Sequence, residues 1–136
     1  MDAPRRRRER GASLSAFVAT IVLALLLMGG LVIDGGAQSA AARECQQVAA
    51  EAARAASDAA APYRAAGVEV DAGVALAAAR SVLAGRPAVT GEASVADGLV
   101  TVRTRRTAPT VFLSLIGVDA LSARGEATAV LRGPGG

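Results

Sequence analysis

The chain has few of the side chains that catalysis, metal binding or phosphate binding requires. Its 136 residues include no histidine and no lysine. A Ser-His-Asp or Cys-His catalytic arrangement therefore cannot be built from it, and neither can a phosphate-binding loop that ends in lysine. One cysteine, Cys45, leaves the usual zinc ligand sets incomplete. We expect a protein that is not an enzyme and that binds no cofactor and no metal ion.

Four carboxylates in the middle of the chain are the remaining candidates for acid–base chemistry. They are Glu44, Glu51, Asp58 and Asp71. Two carboxylates can divide acid and base roles when their environments push their pKa values apart. Charged residues at helical spacing more often line a solvated face. We therefore favour a solvated helix face for this set.

Cys45 has two interpretations. Outside the cytoplasm, a lone cysteine can form an intermolecular disulfide. Its spacing from Ala41, Val48 and Ala52 also puts it on an apolar stripe of a predicted helix, where a small buried side chain fits. We favour burial.

The element that dominates the sequence is an apolar segment at residues 12–33, which holds 22 residues without a charged side chain. As a helix it reaches about 33 Å, enough for a hydrocarbon core of about 30 Å. Asp34 closes one end, and a basic leader at residues 1–11 flanks the other. The positive-inside bias predicts a single-pass cell-membrane protein with a cytoplasmic N-terminus and an extracytoplasmic C-terminal domain. The topogenic residues are Arg5, Arg6, Arg7, Arg8 and Arg10.

The formal net charge of +3 does not indicate nucleic-acid binding. The whole excess lies in the basic leader, because acidic and basic residues cancel from Asp34 onward. A nucleic-acid module spreads its charge over a folded face with stacking aromatics, whereas this chain is 2% aromatic. We expect no nucleic-acid partner.

Small residues recur every four positions along the apolar segment, at Ala12, Ala16, Thr20 and Ala24. Such a stripe permits close packing on a partner helix in lipid, although an alanine-rich sequence also produces stripes by chance. A domain this small, with a core of Ala, Val and Leu, usually needs support from partner subunits. We expect an oligomer or a member of a complex.

Beyond the membrane, the spacing predicts an alanine-rich helix at residues 37–61, ended by Pro62. Glycines at positions 29, 30, 35 and 36 are predicted to loosen the chain at the membrane boundary. A second helix is predicted at residues 72–84, with Asp71 as its N-terminal cap and Gly85 behind it.

After Pro87 the apolar period changes from helical to two, which predicts strands. Asp97 and Gly98 form a two-residue hairpin turn that places Val95 opposite Val100 and Glu92 opposite Arg103. A short apolar turn or helix at residues 111–116 and a third strand at residues 121–131 follow. The prediction is an α+β domain at residues 34–132, in which a three-stranded antiparallel sheet packs on the long helix that continues from the membrane, with a tail at residues 133–136.

This order of parts resembles the TadE/TadG-type pseudopilin-like proteins of the tight-adherence (Flp) pilus assembly system. Near the N-terminus the matching stretches are Arg-Glu-Arg-Gly-Ala-Ser at residues 8–13, the apolar helix, and Val-Ile-Asp-Gly-Gly at residues 32–36. The likeness continues through the alanine-rich helix to residues 107–118, which include Pro109, Phe112 and Gly117. It covers most of the chain.

The resemblance implies a pilin-like fold and a bacterial cell-envelope protein of pilus biogenesis or a related secretion apparatus, with other pilin-like or secretion-system subunits as partners. It also implies processing by a prepilin peptidase between Gly11 and Ala12. TadE-type prepilins carry glutamate at the fifth position after the cleavage point, where this chain has Ala16. The absence of that carboxylate favours an anchored accessory subunit.

Two other functions stay open. One is an uncleaved bitopic scaffold that binds a secretion complex without entering a filament. The other is a small secreted binding domain released after Ser39, because Ala37, Gln38 and Ser39 resemble a signal-peptidase site. The apolar run is longer than the roughly 7 to 15 residues typical of signal peptides, which favours permanent anchoring.

Overall fold

The computed structural model describes residues 6–131, with side chains from Ser13 onward, and its main element is one helix of 61 residues, α1 (Arg6–Ala66). The prediction that the apolar helix continues into the alanine-rich helix is confirmed. The predicted loosening at the four glycines is wrong, because α1 passes through them without a break. Each glycine costs about 1 kcal/mol relative to alanine in a helix. Tertiary contacts at Gly30 and Asp34, described below, oppose that cost.

The end of α1 differs from the prediction. Pro62 lies inside the helix, and its missing N–H leaves only the carbonyl of the exposed Asp58 without an intrahelical donor. The helix ends instead at Gly67, whose φ of 68° is the left-handed conformation. The amides of Gly67 and Val68 bond back to the carbonyls of Arg64 and Tyr63, at 3.2 and 3.1 Å. This Schellman motif is the stop signal.

The second helix, α2 (Ala72–Ala84), has the predicted bounds. The Asp71 carboxylate accepts a hydrogen bond from the Gly73 amide at 2.7 Å, which caps the first turn as predicted. Ala75, Ala79 and Leu83 are the buried face of this helix, which packs against α1 and the first strand.

The sheet contains β1 (Thr90–Ala96), β2 (Leu99–Pro109) and β3 (Ala120–Val130), antiparallel and in the order β1-β2-β3. Asp97 and Gly98 both have positive φ, which is the turn that matches the twist of a two-residue hairpin. The predicted register is confirmed, with Val95 opposite Val100 and Glu92 opposite Arg103. A 3₁₀-helix, η1 (Leu113–Ile116), and the left-handed Gly117 lie between β2 and β3, where a short apolar element was predicted.

The core lies between the second half of α1 and one face of the sheet. Most of its side chains on the helix are alanine, together with Cys45 and Val48, whereas the sheet contributes Val100 and Val102. Cys45 has no exposed surface, which confirms the buried interpretation. Small side chains let helix and sheet approach closely, so this α+β domain is thin.

Candidate functional site

The small-residue stripe lies on the surface of α1. Ala16, Thr20 and Ala24 are exposed, and the Thr20 hydroxyl donates to the Ala16 carbonyl at 2.8 Å within the helix. Gly11 and Ala12, the predicted cleavage point, lie within α1. Arg6, Arg7, Arg8 and Arg10 are also in α1, whereas Arg5 lies outside the described residues.

The four candidate carboxylates are dispersed. Glu44 pairs with Arg106, and Glu51 pairs with Arg86 at 2.9 Å. Asp71 caps α2 and Asp58 is exposed. No group of three or more potential metal ligands occurs among the side chains described, residues 13–131. Each carboxylate therefore pairs with an arginine, caps a helix or lies exposed.

The first half of the helix exposes its apolar side chains in every direction. All residues from 13 to 29 are exposed, including Phe17, Leu23 and Met28. The helix is long and apolar enough to cross a membrane, which makes it a candidate membrane span by length and composition. Its exposed surface requires an apolar environment, supplied by lipid or by other helices.

At the end of this apolar half, Asp34 binds the connection between β2 and β3. Its carboxylate accepts hydrogen bonds from three consecutive backbone amides: Val111 at 2.8 Å, Phe112 at 3.1 Å and Leu113 at 2.7 Å. The side chain is buried, with 2% of its surface exposed. The β2–β3 loop therefore covers the charge that closes the uncharged segment, and Asp34 is shielded from water.

The hydrogen bonds fix the charge state of Asp34. Donation by the Val111 amide, with those of Leu113 and Phe112, holds the pKa of the carboxyl below its usual range, although burial acts in the opposite direction. An ionised carboxylate accepts all three amides, which are the free donors at the start of η1. Asp34 is thus a cap supplied from 77 residues away in the chain.

Replacement of Asp34 by asparagine tests this cap. Because the pKa is lowered on folding, the contact stabilises the loop above the ordinary aspartate pKa, about 4, and is lost as the pH falls through the lowered value. We expect Asp34→Asn to speed hydrogen exchange of the three amides by about tenfold or more at neutral pH. In the unmodified protein, the protection from exchange that Asp34 gives these amides should be lost below about pH 4.

Asp58→Asn is the matched control, since Asp58 is exposed on the same helix. It should leave the exchange of Val111, Phe112 and Leu113 unchanged. Equal protection in the Asp34→Asn protein and the unmodified protein would contradict the assigned cap.

One turn earlier on the same face of α1, the Phe112 side chain packs against Gly30. A methyl group built on Gly30 would lie 2.5 Å from the Cβ and Cγ atoms of Phe112, whereas one on Gly29 meets nothing within 4 Å. Both substitutions gain the same helix propensity, so their difference isolates the contact. We expect Gly30→Ala to be less stable than Gly29→Ala by about 1 to 3 kcal/mol in urea unfolding monitored by circular dichroism. Equal stabilities would show that Phe112 does not rest on Gly30.

Further along, Cys45 and Gln46 join α1 to the middle of the sheet. The Thr104 hydroxyl donates to the Cys45 carbonyl at 2.8 Å. The Gln46 side-chain amide donates to the Glu126 carbonyl at 2.8 Å and accepts from the Glu126 amide at 3.2 Å. These bonds attach the helix to β2 through the Cys45 carbonyl and to β3 through the Gln46 side chain.

The outer face of the sheet carries a polar concavity of about 710 Å³. Its charged lining is Glu92, Arg103, Arg105, Arg124 and Glu126. Arg103 pairs with Glu126 at 2.7 Å, and Arg105 lies opposite Arg124 on neighbouring strands. Arg103 lies between Glu92 and Glu126 across the three strands, so the two carboxylates flank a guanidinium group.

Comparison of the chain with protein-family models, with curated proteins and with solved structures found no match. Sequence reasoning missed the Asp34 cap. The sequence shows only the four-residue spacing of Gly30 and Asp34 on one helix face, which does not by itself indicate the loop that covers them.

Proposed function

We propose that this protein is a membrane-anchored, pilin-like (TadE/TadG-like) component of a Flp/Tad-type pilus assembly or secretion apparatus. The observation that supports this most is the division of α1 into two parts. The part from 13 to 29 is exposed and apolar, whereas the part from 41 to 60 buries one face under an antiparallel sheet. A helix that serves as an anchor at one end and as the spine of a small domain at the other is suited to assembly through helix packing.

In this proposal, the apolar part crosses the membrane and packs on partner helices along the stripe of Ala12, Ala16, Thr20 and Ala24. The arginine-rich leader stays in the cytoplasm, and the sheet faces outward. The partners are other pilin-like or secretion-system subunits, and prepilin peptidase if the leader is removed. The arrangement acts by binding and needs no catalytic group.

The second candidate is an uncleaved bitopic scaffold that binds a secretion complex without entering a filament. Ala16 favours it, because a filament subunit of the TadE type uses a glutamate at that position to pair with a neighbour's N-terminal amine. Release after Ser39 is less well supported. Residues 37–39 lie within continuous α1, and cleavage there would remove Asp34 and Gln38, which bond to the β2–β3 loop and to the Ser122 carbonyl.

N-terminal sequencing and intact-mass measurement of the native protein separate the three functions. A start at Ala12 supports prepilin processing, a start at Met1 supports the scaffold, and a start at Ala40 supports secretion. If prepilin peptidase removes the leader, Gly11→Ala should block that cleavage and raise the mass of the isolated protein by the mass of the leader. Gly29→Ala is the matched control and should change the mass by the substitution alone. The processed form is ruled out if Gly11→Ala behaves like that control.

A further inference from the structure

The loop between β2 and β3, residues 110–119, has an apolar surface that the described part of the chain does not cover. Leu115 is 81% exposed, Ile116 is 68% exposed and Val111 is 64% exposed. Residues 110–118 contain no charged side chain. Several adjacent large apolar side chains on the surface of a small domain indicate a contact site.

The backbone of this loop is largely paired within the protein. The Thr110 amide bonds to the Asp119 carbonyl and the Val118 amide to the Leu113 carbonyl, both at 3.0 Å. The Thr110 hydroxyl donates to the Val118 carbonyl. Asp34 accepts the three amides that η1 itself cannot use. Most of the loop's amides are therefore bonded within the protein, which favours a low-dielectric medium, where unpaired backbone groups are costly.

The position of the loop along α1 indicates which low-dielectric medium surrounds it. Phe112 packs on Gly30, which precedes the end of the uncharged segment, Ile33, by three residues, or about 4.5 Å of helix. The loop is therefore attached at the level where the apolar segment ends. The hairpin turn at the other end of β2 lies ten residues away, or about 33 Å along the strand.

We propose that the β2–β3 loop is a second membrane contact, inserted into the outer interfacial layer of the lipid bilayer beside the membrane span. This inference rests on the proposed membrane anchoring. The occupant of the apolar surface is lipid, because the loop meets α1 at Gly30 and Asp34, the same level at which Leu31 and Ile33 are exposed. The loop would place its apolar side chains in that layer. The Asp34 carboxylate, bonded to backbone amides, would lie just above it, which matches the polarity gradient of an interface.

The test uses the full-length protein in lipid vesicles with a polarity-sensitive fluorophore on single cysteines. Cys45→Ala removes the native thiol, which is buried among small residues. The label is then placed at Leu115→Cys in the loop, at Leu23→Cys in the span, or at Ala96→Cys beside the hairpin turn. All three positions are exposed, so the label needs no repacking of the core. Lipids carrying a spin label near the headgroup or deep in the chains serve as quenchers.

We expect the label at Leu115 to emit at shorter wavelength than the label at Ala96 and to be quenched by the shallow spin label. The label at Leu23 should be quenched by the deep one. A Leu115 label as hydrated as the Ala96 label, with Leu23 buried in lipid, overturns the loop proposal and leaves the anchoring intact. Hydration at all three positions overturns both.

A fourth result identifies a different occupant. If the Leu115 label is shielded but not quenched by either spin-labelled lipid, and becomes hydrated on dilution of the protein in lipid, a second copy covers the loop. That outcome also overturns the proposal. Adding Asp34→Asn provides an independent check, because loss of the cap should weaken the shallow quenching at Leu115 while the Leu23 signal is unchanged.

Discussion

Gly125→Ala is expected to destabilise the domain by about 3 kcal/mol, at the upper end of the range for overpacked cores. Gly125 faces the backbone of α1 so closely that an added Cβ would lie 2.5 Å from the Cys45 carbonyl carbon and from the Gln46 nitrogen. These are backbone atoms of a long helix, which cannot rotate aside as a side chain can. The helix must move off the sheet, and the bonds of Gln46 with Glu126 and of Thr104 with Cys45 must lengthen.

Urea unfolding of the full chain in detergent micelles, followed by circular dichroism, measures this effect. Gly36→Ala is the control. It makes the same chemical change in α1, where an added Cβ meets nothing within 4 Å. That control should gain about 0.5 to 1 kcal/mol from helix propensity. The two substitutions should therefore have opposite signs, and a neutral Gly125→Ala would refute the close approach.

The second large effect concerns the membrane. Arginine at both Val22 and Leu26, near the middle of the uncharged segment, should cost about 5 to 7 kcal/mol of insertion free energy, because each central arginine costs about 2.5 to 3.5 kcal/mol. The double variant should be extracted from membranes by alkaline carbonate or fail to insert, whereas the unmodified protein should stay in the pellet.

Arginine at both Val68 and Leu99 is the matched control. Both side chains are exposed and lie outside the uncharged segment, so this pair should leave membrane association unchanged. Retention of the Val22 and Leu26 double variant in the pellet would argue against a membrane span.

Local signals predicted much of the domain. Asp71 before an apolar period of 3.6 and Gly85 after it set the bounds of α2, because both caps act within one turn. Asp97 and Gly98 set the hairpin register, because a two-residue turn leaves only one pairing in which both faces match. These features depend on neighbours in the chain, so a single sequence contains them.

Contacts between distant residues were not predictable in the same way. Asp34 and Val111 are separated by 77 residues, and nothing near Asp34 indicates that a loop will cover it. Gly125 looked like one more small residue in an alternating strand, although a glycine inside a strand often marks a close backbone approach. Pro62 predicts a helix end, but α1 continues past it to Ala66. The stop signal is the left-handed Gly67, five residues later.

The unbroken course of α1 makes the domain a rigid extension of the apolar half of the helix. From Asp34 to Ala66 the helix extends about 48 Å. If the membrane segment tilts by about 20°, which is typical of such helices, the far end of the rod swings sideways by about 16 Å. Small changes of tilt in the bilayer would then be amplified into large displacements of the sheet, as by a lever arm.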